Sequence, residues 1–293
     1  RATRDPMSAD TSLARLSLAL EPAGPMRAAI LRTQVHLRAH LQAGAALDRV
    51  VLGGAITRRT AVPPLDHVDL FVVLDRSRHG LLRHQPPDRA VQRLEDALAP
   101  APGSRTARAG AAVTYPCPDA PITVRVVPAF DEGRGVLAIP DVTTPRWIRT
   151  SPRIHAELAD AADQAAGGML RPLVRLVRHW RRRHGDLGRG LHLEVLAWSA
   201  LRGPPANHLV GLCQLFEHLA RHATTPCTDP AGLGPPLNAG GAPGQAARLQ
   251  EALAQAHRQA LSAHRLAVAG DGAGAHRELA ALFGDLPPPD GDP

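Results

Sequence analysis

The residues best placed to do chemistry lie in the segment from Gly53 to Asp75, GGAITRRTAVPPLDHVDLFVVLD. Two apolar runs flank its turn-rich middle. Leu47 to Leu52 (LDRVVL) runs into Gly53-Gly54, and His67 to Leu74 (HVDLFVVL) follows Pro63-Pro64, so both read as strands. Residues i and i+2 of a strand share a face, and two carboxylates so spaced can hold a hard cation such as Mg2+. The face-sharing pair here is His67 and Asp69, which leaves a single carboxylate. Asp66 has the opposite parity and joins that face only if the turn after Pro64 or a bulge resets the register. Elsewhere, the 15 histidines form no zinc-ligand cluster. Cys117, Cys213 and Cys227 are too scattered for a C-x-x-C site; an odd number of free thiols implies a cytoplasmic setting.

The elements that must position this segment divide along the chain. Residues 25–43 carry apolar positions at helical spacing, 87–99 form a second helix, and two more strands are expected at 108–115 and 121–127. The stretch 133–145 is broken by Gly and Pro. From Pro152 onward the pattern is helical, over 152–166, 169–184, 190–201, 208–222, 246–269 and 272–283, interrupted by a Pro/Gly-rich loop at 223–245. Strands first and helices second define an α/β (α+β) lobe over 7–150, which includes the helix 25–43. A helical lobe over 151–285 and a disordered tail over 286–293 complete the chain. Residues 1–6 precede the first Met and are set aside.

With 293 residues and 44% hydrophobic content, two lobes can each bury a core, and 3% aromatics make those cores aliphatic. The net charge is +7 and all 34 basic residues are Arg. The excess accompanies inflated Ala, Gly and Pro and is spread rather than striped, which disfavours a nucleic-acid surface. Any phosphate contact must come from Arg, backbone N–H groups or hydroxyls. No stretch has the length of a membrane span, and no leader is evident, so no membrane partner is expected.

The turn and strand at 53–75 resemble the signature of DNA polymerase β-type nucleotidyltransferases, in which Gly-Ser ends one strand and Asp-x-Asp stands on the next. Ile122 to Phe130 (ITVRVVPAF), Ile139 to Pro152 (IPDVTTPRWIRTSP), Leu173 to Leu201, Asp229 to Gly234 (DPAGLG) and Ala281 to Asp285 (ALFGD) extend this, in order, to the bacterial cyclic GMP–AMP synthase-like and oligoadenylate-synthase-like (CD-NTase) family. The resemblance implies a bilobed protein, a polymerase β-like lobe with a central mixed sheet followed by an oligoadenylate-synthase-like helical lobe. It also implies activity on nucleoside triphosphates with Mg2+, giving cyclic oligonucleotides in anti-phage signalling, with a possible protein partner from a defence operon.

Against that pattern three positions depart. The first Asp of Asp-x-Asp is His67. The third carboxylate, expected just before Val-Val-Pro-Ala, is Arg125, a cation that opposes metal entry and can pair with Asp69 across the sheet. Gly-Ser is Gly53-Gly54, which removes a hydroxyl but keeps the backbone N–H groups. The resemblance also makes Thr57, Arg58 and Thr60, in the turn after Gly54, candidate phosphate contacts, and aligns Arg178 with a Lys-x-Trp triphosphate contact. Ordinary turn and helix-surface roles stand beside these. His192 and Glu194 fit a helical motif with a packing role. The favoured reading is a catalytically impaired enzyme that still binds a nucleotide or a protein. The alternative is an active synthase using Asp66, Asp69 and another acid such as Asp75 or Glu132.

Overall fold

The computed structural model describes residues 7–44, 47–65, 67–99, 106–117, 119–141, 144–238 and 244–288. Asp66 and residues 289–293 of the expected tail lie outside the described residues. The chain forms two compact units. One takes the described residues of Arg1–Glu21, Leu158–Thr228 and Pro236–Pro293, the other those of Pro22–Glu157 and Asp229–Pro235.

The second of these holds the sheet. Helix α1 (Met7–Ala19) belongs to the other unit, and α2 (Gly24–Gly44) opens this one. There follow β1 (Leu47–Leu52), the one-turn α3 (Gly54–Thr57), β2 (His67–Leu74), α4 (Arg76–His79), α5 (Asp88–Leu98), β3 (Ala107–Ala109), β4 (Ala112–Pro116), β5 (Thr123–Asp131), β6 (Leu137–Pro140) and β7 (Trp147–Thr150). The strands lie in the order β1-β2-β5-β4-β3, with β6 on β5 and β7 on β6. Among the described strands only β2 and β5 run parallel, so the sheet is mixed.

Alternation along β2 decides what faces what. Val68, Leu70 and Val72 are buried, Leu70 and Val72 in a core shared with Leu37 and Leu41 of α2, Leu94 and Leu98 of α5, and Val124 and Val126 of β5. His67, Asp69 and Phe71 therefore turn to the opposite face, as period-two geometry requires. The amphipathic α5 seals the core side. Strand β6 lies in the stretch 133–145 that read only as broken by Gly and Pro, and β7 just beyond it; at four residues each they sit at the lower limit at which alternation is visible.

The helical unit comprises α1, α6 (Pro152–Ala165) from Leu158 on, α7 (Leu170–Arg183), α8 (Gly190–Ala197), α9 (His208–His222), α10 (Gln245–Val268) and α11 (Gly272–Phe283). Trp180, Phe216 and Phe283 are its largest buried side chains, and small Ala256, Ala260 and Ala263 line the buried face of α10. Helix α1 is tied in by polar contacts. The Asp10 carboxylate accepts from the Leu209 amide at 2.9 Å, and Arg175 Nε donates to the Ser17 carbonyl at 3.0 Å. No helix is long and apolar enough to cross a membrane among the described residues.

Candidate functional site

The turn after β1 is shaped by the side chains of β2. The Gly53 amide donates to the Asp69 carbonyl at 2.9 Å, extending the β1–β2 ladder by one rung. A Cβ on Gly53 would lie 2.4 Å from the Phe71 ring. Gly54 has φ +71°, and a Cβ there would lie 2.6 Å from Asp69 Oδ2. Gly54 thus does more than leave the turn without a hydroxyl. Only glycine combines this left-handed backbone with so close an approach of the carboxylate.

Parallel pairing of β2 with β5 sets Asp69 opposite Arg125 and His67 opposite Thr123. Arg125 Nη1 stands 3.7 Å from Asp69 Oδ1, and the same nitrogen donates to His67 Nε2 at 3.3 Å. That bond requires a neutral imidazole with its proton on Nδ1. Asp69 and Arg125 are each about a third exposed, at 28% and 31% of the side chain, so the site opens to solvent. Three positions thus meet around one carboxylate: Gly54 and Arg125 beside it, and His67 against the guanidinium.

Such a set does not fit a divalent metal. Each unit of added positive charge about 4 Å from the guanidinium costs roughly 4 kcal/mol at an effective dielectric near 20, against one carboxylate already paired. Among the described residues no three His, Cys, Asp or Glu side chains form a group that could hold a metal ion. The other acids considered from sequence are committed elsewhere. Asp75 caps α4, accepting from the Ser77 amide at 2.8 Å and its hydroxyl at 2.7 Å; these bonds hold its carboxyl below the usual range. Glu132 accepts from Arg83 Nη2 at 2.6 Å and pairs with Arg149 Nε at 3.2 Å.

The phosphate candidates of the turn divide. Thr57 Oγ1 donates to the Gly54 carbonyl at 2.9 Å and closes the one-turn helix. Arg58 and Thr60 are buried, 5% and 2% exposed, which places them in the packing of the turn rather than on its surface. Their polar types suggested ligand contacts; burial is what sequence could not show. Of the two turn glycines, Gly53 has its amide committed to the Asp69 carbonyl, which leaves Gly54 as the backbone donor proposed at the strand end.

Arg178 belongs to the helical unit, where Nη1 stands 3.4 Å from Glu194 Oε2. The Glu194 side chain is 0% exposed, so Arg178 is the cation that neutralises a buried acid, a partnership the sequence motif does not announce. His192 is also buried, burial lowers its pKa, and its Nε2 has no hydrogen-bond partner among the described residues.

Comparison with known proteins agrees with this geometry at the level of fold. No family model matches the chain. The CD-NTase CdnG of Bradyrhizobium diazoefficiens, solved with GTP, superposes with a TM-score of 0.70 over 93% of this chain and 98% of that one, at 13% identity. CdnC of E. coli MS115-1, solved with a HORMA protein, gives a TM-score of 0.66 over 94% and 97%, at 18% identity. In sequence, a cyclic AMP-AMP-AMP synthase of Acinetobacter sp. is 37% identical over 90 residues. That match spans 30% of this chain and about a quarter (26%) of the relative's length. The likeness is one of fold: the chain shares the nucleotidyltransferase fold of these CD-NTase structures.

Proposed function

We propose that this chain is a CD-NTase-like protein whose metal centre has become a fixed cation, and that it binds a nucleoside triphosphate or related nucleotide without joining nucleotides together. The observation that carries this is Arg125 paired with Asp69 at the register position where two carboxylates of neighbouring strands would otherwise face a metal. Metal ions supply most of the transition-state stabilisation in phosphoryl transfer, so their exclusion removes catalysis while a guanidinium can still hold a phosphate. Arg125 with the Gly54 amide would meet the polyphosphate, the Gly53 amide being committed to the Asp69 carbonyl.

A setting in anti-phage nucleotide signalling follows from the same likeness. A protein partner is the second reading, favoured by the fold relative solved with a HORMA protein. Purified protein incubated with mixed nucleoside triphosphates and Mg2+ or Mn2+ should yield neither cyclic nor linear oligonucleotide. Robust product that disappears on Asp69→Ala would overturn the reading and restore an active synthase.

A further inference from the structure

A second concentration of positive groups lies in the helical unit, remote in sequence from the strand site. Ser199 and Arg202 at the end of the α8 turn, with Gln214, His218, Arg221 and His222 on α9, line a concave site of about 370 Å³. His218 and His222 sit one helical turn apart with ring centroids 4.4 Å from each other. The Ser199 hydroxyl donates to the Leu196 carbonyl at 3.2 Å and so accepts from His218 Nε2, also at 3.2 Å. This fixes the His218 ring as an Nε2–H tautomer with Nδ1 left over.

The charge around the rings is lopsided. Arg202 makes no ion pair or hydrogen bond among the described residues. Glu217 is the one acid on the lining, and it is already engaged by Arg221 at 2.6 Å. From α10, Glu251, His257 and Arg258 line the neighbouring concavity that shares Glu217 and Arg221, and these three carry little net charge between them. The His218 pKa is lowered by burial, by His222 and by Arg221, so the free site favours the neutral form of His218. An anion reverses that preference by supplying the missing counter-charge.

From the cavity, the free guanidinium and the histidine pair we infer that this site binds a tetrahedral oxyanion of the phosphate class, and takes up protons as it does so. Arg202 offers the fork, and His218 gains a second donor, at Nδ1, on protonation, with the His222 ring beside it. The site lies wholly in the helical unit and does not depend on what the Asp69 region does.

The test uses the full chain and sulfate, whose charge stays constant over the range. Sulfate affinity is measured by calorimetry at about pH 6 and about pH 8, in two buffers of different ionisation enthalpy. Binding should be about tenfold tighter at the lower pH, with net proton uptake, and should weaken about tenfold in Arg202→Gln and in the His218→Gln/His222→Gln pair. Arg202 is exposed, so its variant folds as the wild type does, and its thermal midpoint checks this. Parallel titrations with inorganic phosphate and AMP separate the sources. Equal affinity assigns the site to the free ion, and tighter AMP binding assigns it to phosphate monoesters. No binding, binding without proton uptake, or variants that bind as wild type does would each overturn the inference.

Discussion

Arg125 and Asp69 face each other in register across the parallel pair β2 and β5, guanidinium to carboxylate at 3.7 Å. An exposed pair of this kind contributes only about 0.2–1 kcal/mol to stability. Its importance is electrostatic: the charge balance a metal would need is already satisfied.

Removing each partner should therefore have opposite consequences. With a chelator present, Asp69→Ala should tighten triphosphate binding by about fivefold, because a like charge beside the ligand is gone. Arg125→Ala should weaken it by about tenfold or more, the usual value of a charge-assisted hydrogen bond. Weaker binding of Asp69→Ala in the chelator would contradict this electrostatic account.

The glycine turn gives a coupled prediction. Gly54→Ala places a Cβ 2.6 Å from Asp69 Oδ2 at φ +71° and should destabilise the fold by about 2 kcal/mol in urea unfolding. Adding Asp69→Ala should recover about half of that, since the clash vanishes and the backbone strain stays. Additive effects of the two substitutions would show that the carboxylate does not pack on the turn.

How far could these relationships be read from the chain itself? LDRVVL and HVDLFVVL announce β1 and β2 with their boundaries, because apolar alternation is strong and the flanking Gly and Pro are sharp. Parity alone put His67 and Asp69 on one face. The neighbourhood of Asp69 and Arg125 was different: register between strands 56 residues apart comes from tertiary pairing, and only the likeness to a family suggested it. The short strands β6 and β7, the docking of α1 on the helical unit through Asp10 and Ser17, and the burial of Arg58 and Thr60 left no periodic trace. Each depends on contacts distant in sequence. Arg178 illustrates the same limit, since its partner Glu194 is defined by packing of α7 against α8.

A buried pair elsewhere in the sheet unit sets an acid limit on stability. His155 Nε2 and Asp229 Oδ1 are 2.6 Å apart, both nearly buried, and Asp229 also accepts from the Ala231 and Gly234 amides. Burial pushes the Asp229 pKa up, but the bond to His155, its charge and these amides outweigh it, and the net shift is downward. The Asp229 shift thus contributes stability that is present above the unfolded aspartate value of about 4 and is lost as pH falls through the lower folded value. His155→Ala, which strands the carboxylate, should cost about 3 kcal/mol near neutral pH. An unchanged unfolding midpoint would contradict this.

Cys213 should be slow to react. Burial raises its thiol pKa to about 11, so little thiolate exists near neutrality. Its alkylation in the folded protein should accelerate about tenfold per pH unit up to that value. Rapid, pH-independent labelling of Cys213 would place it in a different environment.

The most direct test of the fixed-cation site is the metal dependence of triphosphate binding. Calorimetric titration with ATP and GTP should show equal or tighter binding in a chelator than in excess Mg2+, and that binding should be lost in Arg125→Ala. Binding that requires Mg2+ and persists in Arg125→Ala would contradict it.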